Sequence, residues 1–221
     1  MKNIGVIIPA FNAGATIGAV IAGIAEYISR ENIIVVDDGS SDKTASVAAS
    51  FGAQVLKHSM NRGKGAALQT GFDSVLQTML DAVITMDADL QHPPDFIPQF
   101  TSLYSSGEFD IIIGSRLQNK KGMPFHRVLS NTVTTFLVSA RTAKEISDSQ
   151  SGYRLVNRKV LESVHLTSAG FEAETEFIIK AAAHGFRFGF VPIRTIYAGE
   201  KSHMTNFSTT VNFVKVLFQD Y

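Results

Sequence analysis

The chain contains no cysteine, which excludes disulfide frameworks and zinc–thiolate sites and fits a reducing compartment. Neither sign of charge is in excess, since Lys plus Arg and Asp plus Glu each number 20 among 221 residues. No global field therefore draws in nucleic acid, and anion binding has to come from local clusters. Nowhere do 18 apolar residues run consecutively, so no bilayer-spanning helix is expected, and the chain reads as soluble or resting on a membrane surface. The opening run MKNIGVIIPAF has no small-residue cleavage site and reads as a first strand, not a signal peptide. Linkers, low-complexity segments and internal repeats are missing too. With 45% hydrophobic residues, one domain with a sizeable core is the simplest reading.

Two familiar phosphate loops are also absent. Asn61-Arg62-Gly63-Lys64-Gly65 lacks the Walker A spacing and the Ser or Thr after its lysine. The turn Pro9 to Gly14 has no dinucleotide fingerprint. An ordinary NTPase or dehydrogenase is therefore not supported. His58, His165 and His184 have no metal-ligand spacing, and His92 reads as structural rather than as a base.

What is present is an alternation of strand and helix patterns. Strands are expected at Asn3 to Ile8, Ile33 to Val36, Gln54 to Lys57, Ala82 to Met86 and Asp110 to Ile113. Helices are expected at Gly14 to Ser29, from Ser41 or Asp42 to about Phe51, at Gly63 to Met79, and after Pro93-Pro94. Continuously apolar strands separated by helices argue for a parallel sheet covered on both faces. The second half predicts helices at Arg127 to Ile146, at Glu172 to His184 with Gly185 as its stop, and at Asn206 to Phe218. Arg187 to Val191 and Arg194 to Tyr197 read as strands split by Pro192.

Ligands of such sheets bind beyond the carboxyl ends of the strands, and the polar clusters sit there. Asp87-Ala88-Asp89-Leu90-Gln91 is the strongest. A hard divalent cation takes oxygen ligands and is often held by one or two carboxylates plus substrate phosphates. A lone Asp-x-Asp reads as solvated loop acids, but its place after a buried strand, with Asp37-Asp38 expected on the same rim, favours a metal loop. Two readings stand for Asp37 and Asp38, contact with a ribose or base and turn formation with Gly39. Gly63 and Gly65 open a helix whose N-terminus, with Lys64, suits either an anion or simple helix initiation. Residues 116 to 127 carry Arg116, Lys120, Lys121, His126 and Arg127 with no acid, which suits an anionic acceptor at a membrane surface. Arg154, in the polar turn DSQSGYR, reads equally as an ion-pair partner. Of Glu172, Glu174 and Glu176, one is expected to meet the acceptor and the others solvent.

Taken in order, IIPAFNAGATI, IVVDDGSSDKT, NRGKGAALQTG, MDADLQHPPDF, IIGSR, DSQSGYR and VPIRTIYAGEKS resemble glycosyltransferase family 2, within it the dolichol-phosphate or polyprenyl-phosphate mannosyl- and glucosyltransferases. The resemblance spans residue 4 to about 204. It implies an α/β GT-A (Rossmann-like) domain over 1–205, a mainly parallel sheet with helices on both faces, and a C-terminal amphipathic helix over 206–221 at a membrane surface. It also implies an inverting transfer of a hexose from a UDP- or GDP-sugar to a polyprenyl or dolichyl phosphate. Pro9, Phe11, Asp37, Asp38, Lys64, Asp87, Ala88, Asp89 and Lys201 would bind the nucleotide-sugar, with Ser202 beside Lys201. Asp89 and Gln91 would hold Mg²⁺ or Mn²⁺. Arg116, Arg127 and Ser130 would hold the acceptor phosphate, leaving Asp87, Asp89 and Arg116 as the catalytic set. The family's usual first loop, Pro-x-Tyr-Asn-Glu, is replaced here by Phe11, Asn12 and Ala13, so one nucleotide contact is lost.

A phosphate acceptor is already mostly dianionic at neutral pH, its second pKa being about 6, and needs arginines more than a general base. A saccharide hydroxyl would need a carboxylate base, for which Asp148 or Glu174 is the candidate. A non-catalytic nucleotide-sugar binding module is the alternative of a different class. The expected location is the cytoplasm, peripheral at the inner face of the membrane.

Overall fold

Strand β1 (Ile4–Ala10) shows how the sheet is built. Its side chains alternate, Val6, Ile8 and Ala10 entering one apolar layer and Ile7 the other. Each fully buried isoleucine of this kind contributes roughly 2–3 kcal/mol of transfer free energy. The same two-sided burial holds for β2 (Ile33–Asp37), β4 (Ala82–Thr85) and β5 (Ile111–Ser115), every residue of which is buried. In this computed structural model, residues 2–118, 123–194, 196 and 207–221 are described, the side chains of 207–209 excepted.

With β3 (Gln54–Lys57), β6 (Arg154–Asn157) and β7 (Phe188–Pro192), the described strands form one seven-stranded sheet in the order β3-β2-β1-β4-β6-β5-β7. All pairs are parallel except those of β6, which runs antiparallel between β4 and β5. One layer packs α1 (Ile17–Ile24), α2 (Thr44–Ser50) and α4 (Ile97–Ser105) on the sheet. The other holds α3 (Lys64–Leu76), α5 (Phe125–Thr142), α6 (Arg158–Ser163), α7 (Ala173–Ala183) and α8 (Phe207–Phe218). The α/β sandwich expected from the sequence is the observed fold.

Some boundaries differ for local reasons. The first helix is shorter than its apolar pattern, because Ala13 to Thr16 form a turn in which Thr16 N–H bonds the Ala13 carbonyl at 3.0 Å. Thr44 rather than Ser41 opens α2, with Asp42 accepting its backbone N–H at 2.9 Å. The short helix α6 follows β6 directly, started by Asn157, whose side chain accepts from Lys159 N–H at 3.0 Å. Of the strand expected at Arg194 to Tyr197, only Arg194 and Ile196 are described, and neither is in a strand. α8 packs on α5 and α7 and buries Val216 and Leu217.

Candidate active site

The parallel register brings the carboxyl ends of β1, β2 and β4 to one edge, with Ala10 beside Asp37 and Ile7 beside Thr85. A cleft of about 580 Å³ opens there, lined among others by Pro9, Phe11, Asp38, Lys64, Asp87 and Asp89. Ala88 also faces it. Seven of the expected donor-binding residues, distant along the chain, therefore share one cavity.

Asp37 does not line it. This side chain is wholly buried and accepts Ser40 N–H at 3.0 Å, so the turn-forming reading fits and contact with a nucleoside does not. Asp38 latches the next loop. One oxygen takes His58 Nδ1 at 2.6 Å and Arg62 N–H at 2.9 Å, the other Gly63 N–H at 2.8 Å. Asn12, in a left-handed conformation at φ 51°, ties the first loop to the second by accepting Ser41 N–H at 2.9 Å.

Of the two readings for the start of α3, an anion site and simple helix initiation, the backbone contacts fit the second. Gly65 N–H donates to the Ala169 carbonyl at 2.7 Å and Ala66 N–H to the same oxygen at 3.4 Å. A Cβ on Gly65 would lie 2.1 Å from the Ser168 carbonyl, so glycine is required by the close approach of residues 168–170. That loop is held in turn by Glu176, which is fully buried and takes Thr167 N–H at 2.9 Å, Ser168 N–H at 2.7 Å and Lys180 Nζ at 2.5 Å. Burial pushes the Glu176 carboxyl up, but these donors outweigh it and its pKa falls to about 2.

Lys64 bridges Asp87 Oδ1 at 2.5 Å and Glu174 Oε1 at 2.6 Å. Burial alone would lower the Lys64 pKa, yet the two carboxylates hold it well above the usual lysine value. Burial likewise raises Asp87, and Lys64 foremost reverses this, to about 2. Arg154 closes the network beneath, donating to the carbonyls of Ser149, Ser151 and Glu174 with Glu174 Oε2 at 3.5 Å. It is an internal brace. Glu174 and Glu176 are both buried and paired, so neither meets solvent as expected; Glu172 accepts Gly170 N–H at 3.2 Å.

The acidic loop turns at Leu90, whose φ of 64° is unusual for a non-glycine residue. Asp89 accepts Gln91 N–H at 3.0 Å, and Thr16 donates to the Ala88 carbonyl at 2.6 Å. Burial and then the charge of Asp87 raise the Asp89 pKa, which is the setting a divalent cation would relieve. Among the described residues no three His, Cys, Asp or Glu cluster to hold a metal by themselves. A partial set of hard oxygen donors facing a cleft fits an ion completed by substrate phosphates. His92 packs behind the loop, 5.3 Å from the Tyr153 ring, and burial lowers its pKa.

At the end of β5, Arg116 forms a two-point pair with the buried Asp148, Nε to Oδ2 at 2.8 Å and Nη2 to Oδ1 at 3.0 Å. Half-buried Arg127 and exposed Ser130 lie on the first two turns of α5. Lys120, Lys121, Lys201 and Ser202 fall outside the described residues. Gly152 and Phe171 were not anticipated. Phe171 lines the cleft, and a Cβ on Gly152 would stand 3.0 Å from Lys64 Nζ, Asp87 Oδ2 and Glu174 Oε1. The Ser-Gly pair in DSQSGYR hints at a close approach, whereas nothing local marks Phe171.

The glycosyl transferase family 2 model matches residues 5–164. An uncharacterized protein of Methanocaldococcus jannaschii, MJ1222, is 35% identical over 97% of this chain and 89% of its own length. The UDP-N-acetylglucosamine–dolichyl-phosphate N-acetylglucosaminyltransferase of Methanococcus voltae is 30% identical over 89% of this chain and 86% of its own. The dolichol-phosphate mannosyltransferase of Pyrococcus furiosus is 30% identical over 80% of this chain and 53% of its own. Among solved structures, glucosyl-3-phosphoglycerate synthase of Mycobacterium tuberculosis with Mn²⁺, UDP and phosphoglyceric acid superposes with a TM-score of 0.79 at 22% identity, covering 98% of this chain and 77% of that one. At that identity the likeness speaks to the GT-A fold alone. With its fold, its rim of acidic loops and these relatives in agreement, the chain belongs to glycosyltransferase family 2 and is a glycosyltransferase.

Proposed function

We propose that this glycosyltransferase moves a hexose from a UDP- or GDP-sugar to a polyprenyl or dolichyl phosphate, with inversion and with Mg²⁺ or Mn²⁺. The observation that carries the acceptor is the state of the two carboxylates a hydroxyl acceptor would need. Asp148 is clamped on Arg116, and Glu174 is buried against Lys64 and Arg154. Neither is placed to take a proton, and a phosphate acceptor requires no base. The names of the relatives from M. voltae and P. furiosus point to the same acceptor class.

In this reading Pro9, Phe11 and Ala88 cradle the nucleoside side of the donor, Asp38 holds the 62–63 loop that walls it, and Asp89 and Gln91 would hold the ion with Asp87 beside them. Lys64 orients Asp87, and the family resemblance assigns Lys201 to the donor diphosphate. A divalent ion there supplies neutralising charge for the departing diphosphate. Arg116, with Arg127 and Ser130, fixes the acceptor phosphate in line with the anomeric carbon. One acceptor oxygen forms the new bond to that carbon while the bond to the nucleoside diphosphate breaks, and the leaving group keeps the electron pair. The enzyme works on the cytoplasmic face of a membrane.

The test is a transfer assay with UDP- and GDP-sugars, with and without divalent ion, offering either a polyprenyl phosphate or a saccharide. Metal-dependent transfer to the lipid phosphate is expected, and Asp89→Ala should cut turnover about 1000-fold or more with the fold intact. Transfer to the saccharide alone, or full activity of Asp89→Ala, refutes the assignment.

A further inference from the structure

We infer that the outward face of α5 is a docking surface for an anionic lipid bilayer, and that α5 rather than α8 sets the enzyme on the membrane. The inference builds on the polyprenyl-phosphate reading, because an acceptor of that class is dissolved in lipid.

Five large apolar side chains of α5 stand in solvent: Phe125 is 81% exposed, Leu129 56%, Val133 48%, Phe136 69% and Leu137 37%. Helical geometry puts them within an arc of about 120°. Thr135 and Val138, on the other side of the helix, are buried. A continuous apolar stripe of this kind on a surface helix marks a contact site. No described helix is long and apolar enough to cross a membrane, so such a contact lies along the surface.

Charge selects the occupant. Residues 111–144 contain no Asp or Glu, while Arg116, Lys120, Lys121, Arg127, Arg141 and Lys144 fall among them. An apolar helix face in a stretch of one sign matches the interior and the headgroups of an anionic leaflet together. α8 offers a smaller face, with Val214 and Phe218 exposed. Val216 and Leu217 are buried against the body, and Arg141 donates to the Leu217 carbonyl at 3.1 Å.

The face is also tied to the reaction rim. Thr135, on the inner side of α5, accepts Ser149 N–H at 3.0 Å. The preceding residue, Asp148, holds Arg116. A helix lying on the leaflet thus carries the phosphate-binding arginine close to the headgroup layer without any lid movement.

The experiment is co-sedimentation of the full chain with phosphatidylglycerol–phosphatidylcholine vesicles and with pure phosphatidylcholine vesicles. Wild type should sediment with the anionic vesicles and be released by high salt. The double variant Leu129→Gln/Phe136→Gln should bind about tenfold more weakly or worse. Both residues are exposed, so its melting temperature should match wild type. Val214→Gln/Phe218→Gln on α8 should sediment like wild type. The inference is overturned if wild type ignores anionic vesicles, if only the α8 variant loses binding, or if wild type is a dimer that the α5 variant converts to a monomer. Transfer to a short, water-soluble prenyl phosphate separates this from the functional reading. Such transfer without vesicle binding removes the docking surface and leaves the transferase assignment standing. Vesicle binding lost only in the α5 variant, with no transfer to any prenyl phosphate, does the reverse.

Discussion

Lys64 Nζ lies 2.5 Å from Asp87 Oδ1, and the same ammonium is 2.6 Å from Glu174 on α7. The lysine that opens α3 is thus a clamp on the acidic loop as well as part of the cleft wall. Lys64→Met leaves the buried Glu174 and the half-buried Asp87 without their shared cation, and a loss of about 2–3 kcal/mol is expected, less than for a fully buried pair because Asp87 is partly solvated. Urea unfolding should show that loss, and Lys64→Arg should recover part of it. A lysine that served only as a donor ligand would raise the donor KM with stability unchanged.

Arg116 owes its pose to Asp148. Arg116→Ala should raise the acceptor KM or lower kcat about 100-fold while donor affinity holds. Asp148→Asn keeps the guanidinium but loses its two-point seat, and about a tenfold loss on the acceptor side is expected. Steady-state kinetics with each substrate varied in turn checks both. An unchanged acceptor dependence in Arg116→Ala would count against its placement on the phosphate.

Gly65 sets helix propensity against tertiary packing. Alanine in a helix is favoured over glycine by about 1 kcal/mol, so the local rule expects Gly65→Ala to stabilise. The Ser168 carbonyl would stand 2.1 Å from the new Cβ, and backbone cannot yield as a flexible side chain does. A net loss of about 2 kcal/mol or more is expected in denaturant unfolding.

Glu176 gives a pH dependence of known sign. Its folded pKa is about 2 against an ordinary 4.5, so the unfolded chain binds the proton more readily. The stabilisation is complete above pH 5 and is lost as pH falls toward 2, amounting to about 3 kcal/mol. Glu176→Gln should be less stable than wild type at pH 7, and the gap should close near pH 2. Melting curves across that range test this, and a constant gap would refute it.

Much of the architecture is legible along the chain. Ile33 to Val36, Ala82 to Met86 and Asp110 to Ile113 are runs too apolar and too short for anything but buried strands, and the acids that follow the first two and Arg116 after the third mark the rim. Asp89 and Gln91 stand out because their loop ends such a strand. Less legible is the carboxylate of Asp37, whose two readings, turn and nucleoside, differ only in which way the side chain faces. The glutamates of α7 mislead for a related reason: helical spacing tells which residues share a face, and the charges of Glu174 and Glu176 suggest solvent. Their partners, Lys64 and the 167–168 backbone, come from other segments.

Apolar periodicity, glycine stops and acidic strand ends act through interactions within a few residues, and these determine the elements of this protein and the edge where its chemistry lies. Tertiary structure alone decides that β6 enters antiparallel between β4 and β5, that the Ala169 carbonyl fills the start of α3, that Asp148 seats Arg116, and that the stripe on α5 stays uncovered. Each of those depends on which groups meet after the chain has closed. Hydrogen-bond and ion-pair energies are won only at contact distance, and contact distance between remote segments is a property of the packed whole.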